Sequence, residues 1–83
     1  MSATSVPPAL QNLLADLFDI PPDQVTPDLA AGSIEAWDSV GHLQAILALE
    51  TEFGVQFDPE SIPDLTSVGL LQRELQTRGV RFA

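Results

Sequence analysis

Residues 37–54 read Trp37-Asp38-Ser39-Val40-Gly41-His42-Leu43-Gln44-Ala45-Ile46-Leu47-Ala48-Leu49-Glu50-Thr51-Glu52-Phe53-Gly54. Asp38 is a strong helix N-cap: its carboxylate accepts an orphan first-turn N–H, and its charge suits the positive end of the dipole. Beyond it the apolar residues recur at steps of three and four, and Gly54 is a natural stop. The stretch predicts a helix of about 15 residues, roughly 22 Å long. Ile46, Leu49 and Phe53 form one line, expected to face the core. Val40, Leu43 and Leu47 form a second, rotated line. A small core has no room for both, so the second line is an expected partner surface beside Ser39. A helix buried nearly all round is the alternative that periodicity leaves open.

On the N-terminal side, residues 20–37 form a connection too long for a compact domain unless it packs or functions. Ile20, Val25, Leu29, Ile34 and Trp37 are spaced too irregularly for a helix and read as pegs pinning this loop over the core. Trp37 reads as a loop anchor whose indole N–H reaches water or a carbonyl. Before the loop, Pro7 and Pro8 suit a first helical turn, and Leu10, Leu13, Leu14, Leu17 and Phe18 share a face. Pro21-Pro22 forces an extended chain, so the first helix is placed at residues 7–19. Residues 1–6 are small and polar and are expected to fray.

On the C-terminal side, Asp58-Pro59-Glu60 has the form of a compact helix start, ended after about one turn by Pro63. Thr66 or Ser67 caps a last helix that buries Val68, Leu71 and Leu75, with Leu70 beside them. Arg73 and Arg78 favour its negative end, Gly79 is its C′ residue, and residues 80–83 are a tail. The expected fold is all-α: a four-helix bundle of three principal helices and one short helix, with a long loop between the first two. It forms a single domain over residues 1–83, ordered at about 7–79.

Composition narrows the function. The chain has 83 residues, with 12 acids against 3 bases, no cysteine and one histidine. All three bases lie after residue 72. Such a surface repels phosphate backbones and anionic lipid, which argues against nucleic-acid and membrane roles and suits steered docking onto basic protein patches. No cysteine means no disulfide, thiol nucleophile or thiolate metal site, and His42 alone cannot make a multi-histidine centre. There is no signal-peptide pattern and no apolar run of membrane length, so a cytoplasmic location is the default. The starting Met1 and the first residues, expected to fray, lean toward a free-standing protein, with a domain cut from a larger synthase as the alternative. A monomer is expected.

Three catalytic readings carry little weight. Ser39 and His42 share a helix face, but the chain lacks an oxyanion loop, a nucleophile elbow and room for a cleft. The carboxylates have no defined pairing, and no stretch has the ligand pattern of a calcium loop. His42 reads as an exposed helix residue; the alternative is that it touches whatever Ser39 carries. Ser39 is the remaining candidate. A first-turn serine is ordinarily a cap, and Ser67-Val68-Gly69-Leu70-Leu71 echoes Ser39-Val40-Gly41-His42-Leu43. Context separates them. Asp38 can cap alone, which frees the Ser39 hydroxyl, and a helix N-terminus favours a phosphate.

The run Asp38-Ser39-Val40, then Leu43, then Ala48-Leu49-Glu50-Thr51-Glu52-Phe53-Gly54-Val55, resembles the acyl carrier protein family. The resemblance continues through Phe57, Ile62 and Thr66-Ser67-Val68-Gly69 and covers residues 8–78. It implies a four-helix bundle of acyl-carrier type, not an enzyme. A separate magnesium-dependent phosphopantetheinyl transferase would place 4′-phosphopantetheine from coenzyme A on Ser39, with Asp38 as the flanking motif residue. The arm's thiol would then hold acyl thioesters. Val40, Leu43, Gln44, Leu47 and Glu50 would meet partners of ketosynthase, acyltransferase or adenylating-ligase type. Val40 stands where the family has leucine. Gly41, Gln44 and Thr51 stand where acids are common in fatty-acid carriers. Those departures point to polyketide, nonribosomal-peptide or related biosynthesis, and Trp37-Asp38 favours an acyl over a peptidyl carrier. The alternative is an unmodified acidic helical module that binds partners through the second helix.

Overall fold

The computed structural model describes residues 6–82. Three α-helices form: α1 (Pro8–Phe18), α2 (Ser39–Phe53) and α3 (Val68–Thr77). The described residues hold no strand, only one antiparallel bridge between Ala30 and Ser67. The fold is a small all-helical bundle in which α1 packs on α2.

Each helix begins and ends for local reasons. Pro8 is at N1 of α1, where a missing N–H costs nothing. At its far end Asp19 takes a left-handed conformation (φ 56°), which aspartate tolerates better than most residues. The N–H groups of Asp19 and Ile20 both return to the Ala15 carbonyl, closing the helix before Pro21. Helix α2 runs from the Asp38 cap to Gly54, which is left-handed at φ 66°. In α3 the Ser67 hydroxyl caps, Arg78 ends the helix, and Gly79 follows at φ 96°.

The expected short α-helix after Asp58 does not form. An α-helix starting at Pro59 needs the residue-63 N–H for the Pro59 carbonyl, and Pro63 has none. The segment uses tighter bonds instead. Ser61 N–H donates to Asp58 O (2.8 Å), Asp64 to Ser61 (2.9 Å) and Leu65 to Ile62 (3.1 Å). The result is a turn followed by a 3₁₀ turn at Ile62–Asp64. Pro63 thus lies inside the helical turn rather than ending it. A second 3₁₀ turn, Pro22–Gln24, sits in the long connection.

The core joins Leu10, Leu14, Ala15 and Phe18 of α1, Ala45, Ile46 and Leu49 of α2, and Val68, Leu71 and Leu75 of α3. Val25, Trp37, Phe57 and Leu65 complete it from the connections. The pegs behave as their spacing predicts: Val25 and Trp37 are buried, and Ile20, Leu29 and Ile34 are half-buried against the core. The described residues at the two ends pack on the core. The fraying expected at residues 1–6 lies outside the described residues except at Val6, which is buried. The tail is not loose, because Val80 and Phe82 pack on the core and Phe82 meets Phe53 edge to face at 5.6 Å.

Helix α2 shows which apolar line the core accepts. Ile46 and Leu49 are buried and Phe53 half-buried, whereas Val40, Leu43 and Leu47 are 63%, 55% and 62% exposed. Leu49→Ala should therefore cost ~2–5 kcal/mol in a urea melt. Leu47→Ala should stay within about 0.5 kcal/mol. Similar losses at both positions would show that α2 buries both lines.

Candidate functional site

Asp38, Ser39 and Val40 lie at the N-terminal end of α2, and all three are exposed. Asp38 is extended, and its Oδ1 accepts the Gly41 N–H at 2.8 Å while its carbonyl accepts the His42 N–H at 2.8 Å. The cap is thus complete without Ser39. The Ser39 hydroxyl makes no hydrogen bond to any other described residue. The N–H groups of Ser39 and Val40 also have no partner among the described residues. The positive end of α2 is open beside a free hydroxyl, a position where an anionic phosphate gains ~0.3–1 kcal/mol. A shallow groove lined by Ala31, Gly32, Trp37, Asp38, Ser39 and His42 leads away from it.

The echo at Ser67 is built differently. There the hydroxyl accepts the Leu70 N–H at 3.2 Å. Val68 N–H donates to Leu29 O (2.9 Å) and Gly69 N–H to Pro27 O (3.0 Å), so the long connection covers the start of α3. One serine is a cap at a closed helix end, and the other stands uncommitted at an open one.

Trp37 and His42 depart from what their sequence positions predict. Trp37 is fully buried, and its indole N–H donates not to water or a carbonyl but to His42 Nδ1 at 3.0 Å. His42 is half-buried rather than exposed, and its Nε2 lies 2.8 Å from the Ile62 carbonyl. An indole nitrogen can only donate, so Nδ1 is the acceptor and the ring proton sits on Nε2, donating to Ile62. Both ring nitrogens are therefore engaged, and His42 offers Ser39 no free base. The Trp37 ring also stacks on Phe18 at 5.1 Å, while the His42 ring lies edge to edge with the indole and close to its plane (21°), as the in-plane hydrogen bond requires. This link was missed in the sequence, although its signal is there. Trp37 and His42 occupy the N′ and N4 positions of α2, the pair that staples a chain onto a helix start.

Gly41 fits tightly against the connection. A Cβ there would collide with the Ala36 carbonyl oxygen. The position where the resemblance leads one to expect an acid is closed to any side chain. Gln44 is exposed, but Glu50 is half-buried and its carboxylate accepts the Phe57 N–H at 2.8 Å, which ties down the connector after α2. Among the described residues no helix is long and apolar enough to cross a membrane, and no group of three histidine or acidic side chains converges as a metal site.

No protein-family model matches the chain, and no curated protein matches it in sequence.

Two substitutions test this geometry. Ser67→Ala should cost ~1 kcal/mol through loss of a cap, while Ser39→Ala should lie within about 0.5 kcal/mol, both read by chemical denaturation. Gly41→Ala should destabilise by about 1–3 kcal/mol, because backbone rather than a flexible side chain must give way. A neutral Gly41→Ala would show that the connection is not seated on α2.

Proposed function

We propose that the protein is an acyl carrier whose Ser39 hydroxyl receives 4′-phosphopantetheine. The observation that carries this reading is the division of labour at α2: Asp38 caps the helix, and Ser39 beside it stays exposed and uncommitted. The residues fit the group. The open Ser39 and Val40 N–H groups suit a phosphodiester, and the groove past Gly32 and His42 gives its arm a path along the surface. The acyl-carrier form of the bundle and its resemblance over residues 8–78 belong to the same reading.

In the transfer, Ser39 Oγ forms a bond to the β-phosphorus of the coenzyme A pyrophosphate. The phosphorus–oxygen bond to the adenosine side breaks, adenosine 3′,5′-bisphosphate leaves, and the hydroxyl proton passes to a base of the transferase. The chain supplies the nucleophilic oxygen and the frame that holds it, while magnesium and the base come with the transferase. Once attached, the group supplies a thiol for acyl thioesters, which a chain without cysteine lacks. Tethering replaces free diffusion of the intermediate with a high local concentration. The exposed line Val40, Leu43 and Leu47 gives partners an apolar patch next to the serine. The acidic surface steers basic partners such as condensing, acyl-transferring or adenylating enzymes toward it.

That same exposed line also supports a second reading, in which the chain is an unmodified acidic module that binds partners through α2. Intact-mass measurement separates the two. The chain and its Ser39→Ala variant are incubated with coenzyme A, magnesium and a broad-specificity phosphopantetheinyl transferase. The carrier reading requires one added phosphopantetheinyl group on the native chain and none on the variant. No added mass on the folded native chain with several transferases selects the interaction module. Mass on both moves the site to another serine.

A further inference from the structure

We infer that His42 is a positioning residue for group transfer to Ser39, acting through Trp37 and Ile62; the inference rests on the carrier reading above. Ser39 sits where the long connection enters α2, and no bond from its own side chain to another described residue fixes it there. Its orientation depends on its neighbours. The Trp37 carbonyl accepts the Gly32 N–H at 2.8 Å, and the Trp37 ring stacks on Phe18 and meets His42 at its N–H edge. His42 closes the arrangement, accepting from the indole at 3.0 Å and donating to the Ile62 carbonyl at 2.8 Å. One side chain thus joins three parts of the chain: the connection before Ser39, the first turn of α2, and the 3₁₀ turn Ile62–Asp64.

The consequence is specific to the reaction. A phosphoryl acceptor must present its oxygen in line with the breaking bond, and small misplacements are costly even when binding is intact. Trp37 is two residues from Ser39, so its freedom becomes freedom of the Asp38-Ser39 peptide. The side chains of the exposed line Val40, Leu43 and Leu47 take no part in this link, whose bonds run only between Trp37, His42 and Ile62. Removing His42 therefore loosens the geometry of Ser39 and leaves the apolar docking patch in place. That separates a loss in kcat from a loss in KM.

The test uses the full chain with coenzyme A, magnesium and a broad-specificity transferase, below the melting temperature of every variant. His42→Ala should lower kcat on the order of tenfold while KM for the carrier stays within about twofold. The chain has one tryptophan, so its indole N–H gives a single NMR resonance. That resonance should shift upfield in His42→Ala as the hydrogen bond is lost. His42→Asn, whose amide oxygen replaces the Nδ1 acceptor, should restore the resonance and part of kcat. If His42→Ala does not fold, Trp37→Phe carries the kinetic part of the comparison, because it keeps an aromatic ring and removes the donor. Unchanged kcat and KM, even with a lower melting temperature, would make His42 a purely structural strut and overturn the inference. A raised KM with unchanged kcat would overturn it too. A native chain that is never modified overturns the carrier reading and this inference with it, and that result is distinct from the other two.

Discussion

The Trp37 indole is the interaction on which the rest depends. An 83-residue chain has a small core, yet this one carries a connection of residues 19–38 between two helices. Ordering such a segment costs roughly 1–2 kcal/mol per residue in backbone entropy, so it stays in one place only if it is anchored at several points. Trp37 is the largest side chain with no exposure, and it stacks on the end of α1 while donating to the start of α2. The remaining anchors are of the same kind but smaller. Val25 is buried, and the Ala31 and Val68 N–H groups cross-link the connection to α3 through Thr66 O and Leu29 O. The connection is part of the core, and the orientation of the first residue of α2 follows from it.

This explains why some of the fold was legible in the sequence and some was not. The bounds of α2 came from Asp38 and Gly54, because a cap and a left-handed stop act within a few residues. The split between its buried and exposed lines came from periodicity combined with an estimate of core size. The segment after Asp58 was misread because a capping residue plus proline outweighed a second proline four residues on, which removes the α-type bond to the Pro59 carbonyl. The Ser39 position and the uncommitted state of its hydroxyl were legible because they turn on which of two adjacent residues caps. The Trp37–His42–Ile62 link was only half legible. Its first half spans five residues and follows the staple rule, but its second half joins His42 to a carbonyl 20 residues away. Nothing local in the chain specifies that pairing. Likewise, Glu50 reads as a surface acid until Phe57 is seen to fold back onto it.

The repeated Ser-Val-Gly sequence brings these arguments together. At each repeat the glycine stands where a backbone carbonyl of the long connection lies against the helix: Ala36 O at Gly41 and Pro27 O at Gly69, the latter 3.3 Å from where a Cβ would be. The shared motif therefore records a shared packing task, which is to seat the same connection on two helix starts. The serines diverge because the residues before them do. Thr66 precedes Ser67 and supplies no cap, so the Ser67 hydroxyl turns inward to Leu70 N–H. Asp38 precedes Ser39 and supplies the cap, so the Ser39 hydroxyl is left over. An upstream carboxylate takes the cap at α2, and the helix there begins one position earlier in the motif, at the serine itself, whereas at α3 the serine is the extended cap. The glycine follows the same logic. Gly41 is accounted for by packing alone, since the Ala36 carbonyl occupies the space any side chain would take. Gln44 and Thr51, both exposed, meet no such packing constraint, and at those positions the surface chemistry of α2 is free to vary.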